Sequence, residues 1–159
     1  MPSILFVCTA NQFRSPIAAL YFAREVVRHG DDADFRIASA GTWASTGSPA
    51  TSKAKKIAKE YDLNLSYHKS QLITREIIEW AEFIIVMEEG HKEGILHDYP
   101  GAAGKIFLLT EAANFPAADI PDPYTTDASG DEVARDITRL IDEGYDKIIE
   151  LARKLSEKA

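Results

Sequence analysis

Cysteine occurs only once in the 159 residues of this chain, as Cys8. An internal disulfide is therefore excluded, and a reducing, cytoplasmic setting fits this usage. Positive charge is also scarce, since 18 Lys and Arg residues stand against 25 Asp and Glu residues and the net charge is −7. This balance argues against nucleic acid or an anionic membrane as the main partner.

Long hydrophobic runs are absent as well. No stretch approaches the ~20 apolar residues that a membrane span needs, and the start, MPSILFVC, lacks the features of a secretory leader. Repeats, low-complexity tracts and Gly/Ser-rich linkers are also missing. We therefore expect one domain over residues 1–159, located in the cytoplasm and without membrane association.

Short apolar runs alternate with amphipathic stretches along the chain. The pattern predicts buried strands at residues 3–7, 35–39, 83–87 and 105–109, and helices at 15–29, 52–61, 74–80, 90–98 and from Val133 to Leu155. Runs such as FIIVM are nearly continuous, as expected when helices cover both faces of a sheet. The alternation predicts an α/β, flavodoxin-like fold with a four-stranded parallel sheet and helices on both faces. Ligands bind beyond the carboxyl ends of such strands, and Cys8 comes directly after the first one.

The stretch CTANQFRS, residues 8–15, joins the first predicted strand to a helix with proline in its first turn. Such a loop presents unpartnered backbone N–H groups, which together with the helix dipole form an anion site. These groups and Arg14 would stabilise a Cys8 thiolate, and the Arg14 fork matches two oxygens of a bound phosphate. Ser15 would donate a hydrogen bond to the sulfur, and Asn11 tolerates the left-handed conformation of a tight nest. The alternative is a small buried Cys8 with an exposed Arg14, but the spacing C-x5-R-S at this place favours the anion site.

Several motifs in this order resemble the low-molecular-weight protein tyrosine phosphatase family. The family pattern V-C-x-G-N-x-C-R-S-P corresponds to VCTANQFRSP here, and the later D-P of the family corresponds to PDPY. The segments SAGT, HKSQL and FIIVMEEGHKEGIL are also similar to family segments. The set is far more specific than C-x5-R alone, which unrelated phosphatase folds share, and it extends over most of the chain.

The resemblance implies a reaction and its catalytic residues. Cys8 would be the nucleophile, Arg14 would clamp the transition state, and Asp122 would be the general acid. Phosphotyrosine in a protein would be hydrolysed through a cysteinyl-phosphate, with no metal and no other cofactor. The implied partners are a phosphorylated protein and the tyrosine kinase that supplies it. Taken alone, Asp122 is also typical of a turn, because Asp-Pro commonly is.

The resemblance also implies supporting and binding roles. Ser15 would stabilise the departing thiolate within a hydrogen-bond network that includes Asn11, Ser39 and His68. Phosphate and substrate would contact the loop and one aromatic residue beyond it, that is Thr9, Ala10, Asn11, Gln12, Phe13, Ser15 and Tyr124.

Three loop positions depart from the family pattern. Ala10 stands where glycine is usual, and Phe13 replaces a second cysteine. Gln12 occupies a position that helps to set the substrate, where tyrosine-directed members usually carry an aliphatic residue and phosphoarginine-directed members carry threonine. Phosphotyrosine and phosphoarginine therefore both stay open as substrates. Tyr124 would form a wall for a flat ring, and Trp43 either forms a second wall or simply packs.

Other functions fit these residues less well. Arsenate reduction would need further cysteines, and a non-catalytic phosphate-binding module would need neither Cys8 nor Asp122. A flavin-binding electron carrier gains nothing from cysteine and arginine at this spacing. The four histidines are dispersed and predict no metal site, and we expect His91 and His97 at the surface.

Overall fold

The sheet has four strands, all parallel. The computed structural model describes residues 1–159 and contains β1 (Ser3–Cys8), β2 (Arg36–Gly41), β3 (Phe83–Val86) and β4 (Ile106–Leu108). Their spatial order is β2-β1-β3-β4, so β1 lies inside the sheet with a neighbour on each side. The predicted α/β fold with a four-stranded parallel sheet is confirmed.

Six α-helices accompany the sheet: α1 (Arg14–Arg28), α2 (Ser52–Glu60), α3 (Arg75–Trp80), α4 (Glu89–Asp98), α5 (Leu109–Ala112) and α6 (Gly130–Lys158). The first four agree with the predicted helices to within one residue at each end. The short α5 and two 3-10 turns (Asp32–Asp34 and Pro100–Lys105) were not predicted, because one or two turns are too short to show a helical period. No helix in the structure combines the length and the apolar character that crossing a membrane requires.

The side chains of β1 alternate between two apolar layers. Ile4 and Phe6 pack on the side that carries α1, α2, α5 and α6, whereas Leu5 and Val7 pack on the side of α3 and α4. All four are fully buried. Burial on both faces explains why the strand sequences are continuous apolar runs. Cys8, the last residue of β1, belongs to the layer that contains α1.

Helix α6 holds α1 in place with polar as well as apolar contacts. The hydroxyl of Tyr21 on α1 donates to the Asp142 carboxylate of α6 at 2.7 Å, and Tyr145 of α6 donates to Asp31 at 2.7 Å. Burial and these carboxylates raise the pKa of both tyrosines above the ordinary value. The helix that begins at the CTANQFRS loop is thereby fixed against the longest helix of the chain.

Candidate active site

The loop of residues 8–15, here called the cradle, lies at the carboxyl end of β1 and leads into α1. Its carbonyl groups are occupied by neighbouring segments: those of Cys8, Thr9 and Gln12 accept from backbone N–H groups of residues 42, 43 and 51. By contrast, none of the backbone N–H groups of residues 9–15 donates to a protein acceptor. Unpaired N–H groups at the start of a helix are suited to an anion.

Asn11 is the centre of a hydrogen-bond network under the cradle. It is fully buried and adopts a left-handed conformation with φ 57°. Its Nδ2 donates to Ser15 Oγ at 2.8 Å and to Ser39 Oγ at 2.9 Å, while its carbonyl accepts from His68 Nε2 at 2.7 Å. Its side-chain oxygen accepts from the backbone N–H of Gln71 at 3.0 Å, a contact not expected from the sequence. The structure thus brings together Asn11, Ser15, Ser39 and His68.

The Cys8 sulfur is 2.9 Å from Ser15 Oγ, and Cys8 is 3% exposed. Because Asn11 already donates to Ser15 Oγ, the serine hydroxyl is left with its own proton to donate. Its acceptors are the sulfur and, at the longer distance of 3.4 Å, the Ala40 carbonyl. A hydroxyl donor directed at sulfur stabilises the thiolate over the thiol.

Arg14 is 2% exposed, and the two ends of its guanidinium have different surroundings. Nη1 donates to Glu88 Oε2 at 2.6 Å and to the Ile120 carbonyl at 2.7 Å, which uses both of its protons. Nη2 makes only longer contacts, since it donates to Thr9 Oγ1 at 3.4 Å and lies 3.6 Å from Asp122 Oδ2. The edge formed by Nε and Nη2 is therefore the one available for two oxygens of an oxyanion.

Asp122 lies in a loop that is tied to the end of β3. Its Oδ1 accepts from the Tyr124 backbone N–H at 2.9 Å, an Asx turn that orients the carboxylate. The Ile120 N–H donates to the Met87 carbonyl at 2.8 Å, directly after β3. One anchoring point thus places Asp122 at the same sheet edge as Cys8.

A cavity of about 200 Å³ opens at this edge. It is lined by seven of the residues singled out in the sequence, Cys8, Ala10, Gln12, Phe13, Arg14, Asp122 and Tyr124, and by Thr51, which was not. Ala10 does not have a positive φ, so alanine carries no backbone strain at the position where glycine is usual in the family. Trp43 does not line the cavity, because its side chain is 84% exposed and only its backbone N–H reaches the cradle.

Tyr124 is fixed as one wall of the cavity from two sides. Its ring packs edge-on against Phe13, with centroids 5.9 Å apart, and its hydroxyl donates to Thr51 Oγ1 at 2.9 Å. Phe13 itself is 4% exposed and belongs to the main apolar core. Gln12, which also lines the cavity, donates from Nε2 to the Pro49 carbonyl at 3.1 Å.

The expectation that His91 lies at the surface is wrong, whereas His97 is exposed as expected. His91 is 5% exposed, with Nε2 2.8 Å from Thr9 Oγ1 and Nδ1 accepting from the Glu88 N–H at 3.1 Å. Burial, and next the Arg14 charge, lower the pKa of His91 to about 4. Glu88 and His91 lie in the turn and the first helical turn that follow β3, and this position beyond the carboxyl end of a strand was the signal that sequence analysis overlooked.

The arrangement suits displacement at phosphorus. A thiol lies at the mouth of an anion nest, an arginine edge is free beside it, and a carboxyl lines the same cavity. No three His, Cys, Asp or Glu side chains in the structure lie close enough together to hold a metal ion.

Comparisons with known proteins agree with this geometry. A family model described as low molecular weight phosphotyrosine protein phosphatase matches residues 3–159. A protein-arginine-phosphatase of Geobacillus stearothermophilus is 35% identical over 91% of this chain and 95% of its own. A probable low molecular weight protein-tyrosine-phosphatase of Ralstonia nicotianae is 29% identical over 96% of this chain and 97% of its own. The solved low molecular weight protein tyrosine phosphatase from T. tengcongensis has a TM-score of 0.81 at 33% identity, covering 94% of this chain and 99% of that one. The chain therefore belongs to the low molecular weight phosphotyrosine protein phosphatase family.

Proposed function

We propose that the protein hydrolyses phosphotyrosine in proteins, with Cys8 as nucleophile, Arg14 as transition-state clamp and Asp122 as general acid. One observation carries the proposal, namely that a single cavity is lined by all three of these side chains. A module that only bound phosphate would gain nothing from a thiol and a carboxyl in the same cavity. The substrate would be a phosphorylated protein, supplied by a tyrosine kinase.

Two displacements complete the reaction. In the first, the Cys8 thiolate attacks phosphorus, the bond from phosphorus to the tyrosine oxygen breaks, and Asp122 gives its proton to that oxygen. The cradle N–H groups and the Nε–Nη2 edge of Arg14 hold the other phosphoryl oxygens. In the second, Asp122 takes a proton from water as the water attacks phosphorus, and the thiolate leaves, stabilised by Ser15 at 2.9 Å.

The cavity walls favour an aryl substrate. Tyr124 presents a ring held by Phe13 and Thr51, and such a fixed aromatic wall packs well against a flat phenyl group. The thiol lines the cavity and is only 3% exposed, so a short phosphoserine side chain would not bring its phosphorus to the sulfur.

Phosphoarginine is the second candidate substrate. A relative that is 35% identical to this chain is named a protein-arginine-phosphatase. Gln12 lines the cavity, and its Nε2 donates to the Pro49 carbonyl, whereas its Oε1 has no hydrogen-bond partner in the protein. An amide oxygen in this position would accept a hydrogen bond from an N–H of the guanidinium group of phosphoarginine.

The two candidate substrates are compared with two peptides of the same sequence, one that carries phosphotyrosine and one that carries phosphoarginine at the same position. We expect the higher kcat/KM on the phosphotyrosine peptide, and a higher value on the phosphoarginine peptide would replace the first candidate with the second. Hydrolysis of p-nitrophenyl phosphate by the wild type in the presence of EDTA, set against the Cys8→Ser variant, tests the phosphatase assignment itself. Turnover by Cys8→Ser at the wild-type rate would refute it.

A further inference from the structure

The buried ring of His91 bridges two parts of the site through two different nitrogens. Nδ1 accepts from the Glu88 backbone N–H at 3.1 Å, and Nε2 lies 2.8 Å from Thr9 Oγ1. A neutral ring that accepts at Nδ1 carries its proton on Nε2. Nε2 is therefore a donor, and Thr9 Oγ1 is its acceptor.

This donor determines how Thr9 faces Arg14. Thr9 Oγ1 accepts from His91 on one side, and Arg14 Nη2 lies 3.4 Å from the same oxygen on the other. The contact with His91 fixes the threonine side chain in the orientation that turns an oxygen lone pair toward the arginine. Meanwhile Glu88, whose backbone is bound by His91, holds the far end of the guanidinium at 2.6 Å.

We propose that His91 is a positioning residue for Arg14, acting through Thr9 on one end of the guanidinium and through Glu88 on the other. The inference rests on the proposed phosphatase function and adds to it a residue that does not touch the phosphate. His91 keeps the free Nε–Nη2 edge aligned with the cradle, so its loss lowers the rate of the chemical step more than it weakens substrate binding.

The alternative is that His91 only caps helix α4, and this role depends on Nδ1 rather than on Nε2. His91 is the third residue of α4, and its contact with the Glu88 N–H closes the start of that helix. Helix capping uses only Nδ1, whereas the proposal requires the donor at Nε2. Amide side chains separate the two roles, because an Asn amide reaches the place of Nδ1 and a Gln amide reaches the place of Nε2.

The test measures kcat, KM and the thermal midpoint for His91→Asn and His91→Gln, with p-nitrophenyl phosphate as substrate. We expect His91→Asn to keep the helix cap but to lose about tenfold in kcat, as for one lost hydrogen bond. His91→Gln should retain most of kcat while its thermal midpoint falls. Exposed His97 on the same helix offers the matched control, and His97→Gln should leave kcat and midpoint unchanged.

The proposal would be overturned if His91→Asn kept the wild-type kcat, whether or not His91→Gln lost activity. If His91→Asn does not fold, the Thr9→Val and Thr9→Ser pair answers the same question at the other end of the contact. Thr9→Val should have a kcat about tenfold lower than that of Thr9→Ser, because serine keeps the hydroxyl that accepts from His91; equal rates for the two would overturn the proposal. An inactive wild type would instead refute the phosphatase function, so the two failures are distinguishable.

Discussion

Arg14 is held by the protein before any substrate arrives. Glu88 and the Ile120 carbonyl fix one end of a long side chain that is 2% exposed. The entropic cost of ordering the arginine is thus met during folding rather than in the transition state. Sequence analysis predicted that Arg14 binds phosphate through its fork, but it did not predict the contact with Glu88. The spacing of a motif shows which residue binds the phosphate, whereas the partner that orients this residue lies far away in the sequence.

The proposed acid, Asp122, predicts a dependence on the leaving group. Asp122→Asn removes the proton that the departing oxygen needs, so we expect a loss of roughly 100-fold or more in kcat on an alkyl phosphate. An activated aryl phosphate leaves without help and should lose far less. Steady-state rates on the two substrates check this, and equal losses on both would assign the acid to another residue.

Burial of His91 predicts a contribution to stability that depends on pH. Its pKa is about 4 in the folded protein, below the value of 6.5 for an unperturbed histidine. Between these values the unfolded chain binds a proton that the folded protein does not, so the contribution is complete above pH 6.5 and is lost as the pH falls toward 4. We expect this group alone to lower the free energy of unfolding by about 2 kcal/mol from pH 7 to pH 5.

Urea unfolding of the wild type and of His91→Gln at both pH values measures this contribution, because glutamine does not titrate. The wild type should lose more stability than the variant on acidification. Identical losses would show that His91 does not titrate as described.

At the scale of elements, the end of β2 supports the cradle through a close backbone contact. A Cβ at Gly41 would lie 2.4 Å from the Thr9 carbonyl oxygen and 3.0 Å from the Asn11 nitrogen. Both contacts are with backbone atoms, which cannot rotate away. The third residue of the SAGT motif is therefore glycine for a steric reason that involves the anion nest.

Gly41→Ala should displace the cradle, with about 1–3 kcal/mol of stability lost and kcat reduced at least tenfold. The matched control is Gly94→Ala in α4, where a Cβ would meet nothing within 4 Å. Urea unfolding and p-nitrophenyl phosphate kinetics on both variants make the comparison. An active, stable Gly41→Ala variant would contradict the described packing of β2 on the cradle.

The elements that sequence analysis predicted are those whose pattern repeats. The buried runs around Phe6 and Ile85 and the spacing of apolar residues in α6 specify the sheet and its longest helix. Contacts between segments distant in sequence were not predictable, since nothing local shows that Tyr124 bonds to Thr51 or that Trp43 turns away from the cavity. The expectation of a surface position for His91 failed because the side chain of a residue in the first turn of a helix can point back toward the carboxyl end of the preceding strand.

On the scale of the whole molecule, Cys8 is the only cysteine and Phe13 fills the place of the second cysteine of the family pattern. A sulfenic acid formed on Cys8 would have no thiol within the chain to trap it as a disulfide. Peroxide should therefore inactivate the protein through sulfinic acid, without recovery in dithiothreitol, and bound phosphate should protect it. Intact mass and activity after each step test this; full recovery would show that another reversible trap operates.

Phe13→Cys provides the comparison for the oxidation experiment, since it introduces a second thiol within the cradle. Part of the activity of this variant should return with dithiothreitol. Because Phe13 packs against Tyr124 at 5.9 Å, its KM for aryl phosphates should rise as well.

The central claim, a phosphoryl group carried by Cys8, is tested most directly by trapping the intermediate. Wild-type protein mixed with p-nitrophenyl phosphate and quenched in acid within one turnover should gain the mass of one phosphoryl group. Peptide mapping should place that group on Cys8, and Cys8→Ala should gain nothing and release no p-nitrophenol. Phosphate found on any other residue, or turnover by Cys8→Ala at the wild-type rate, would contradict the account.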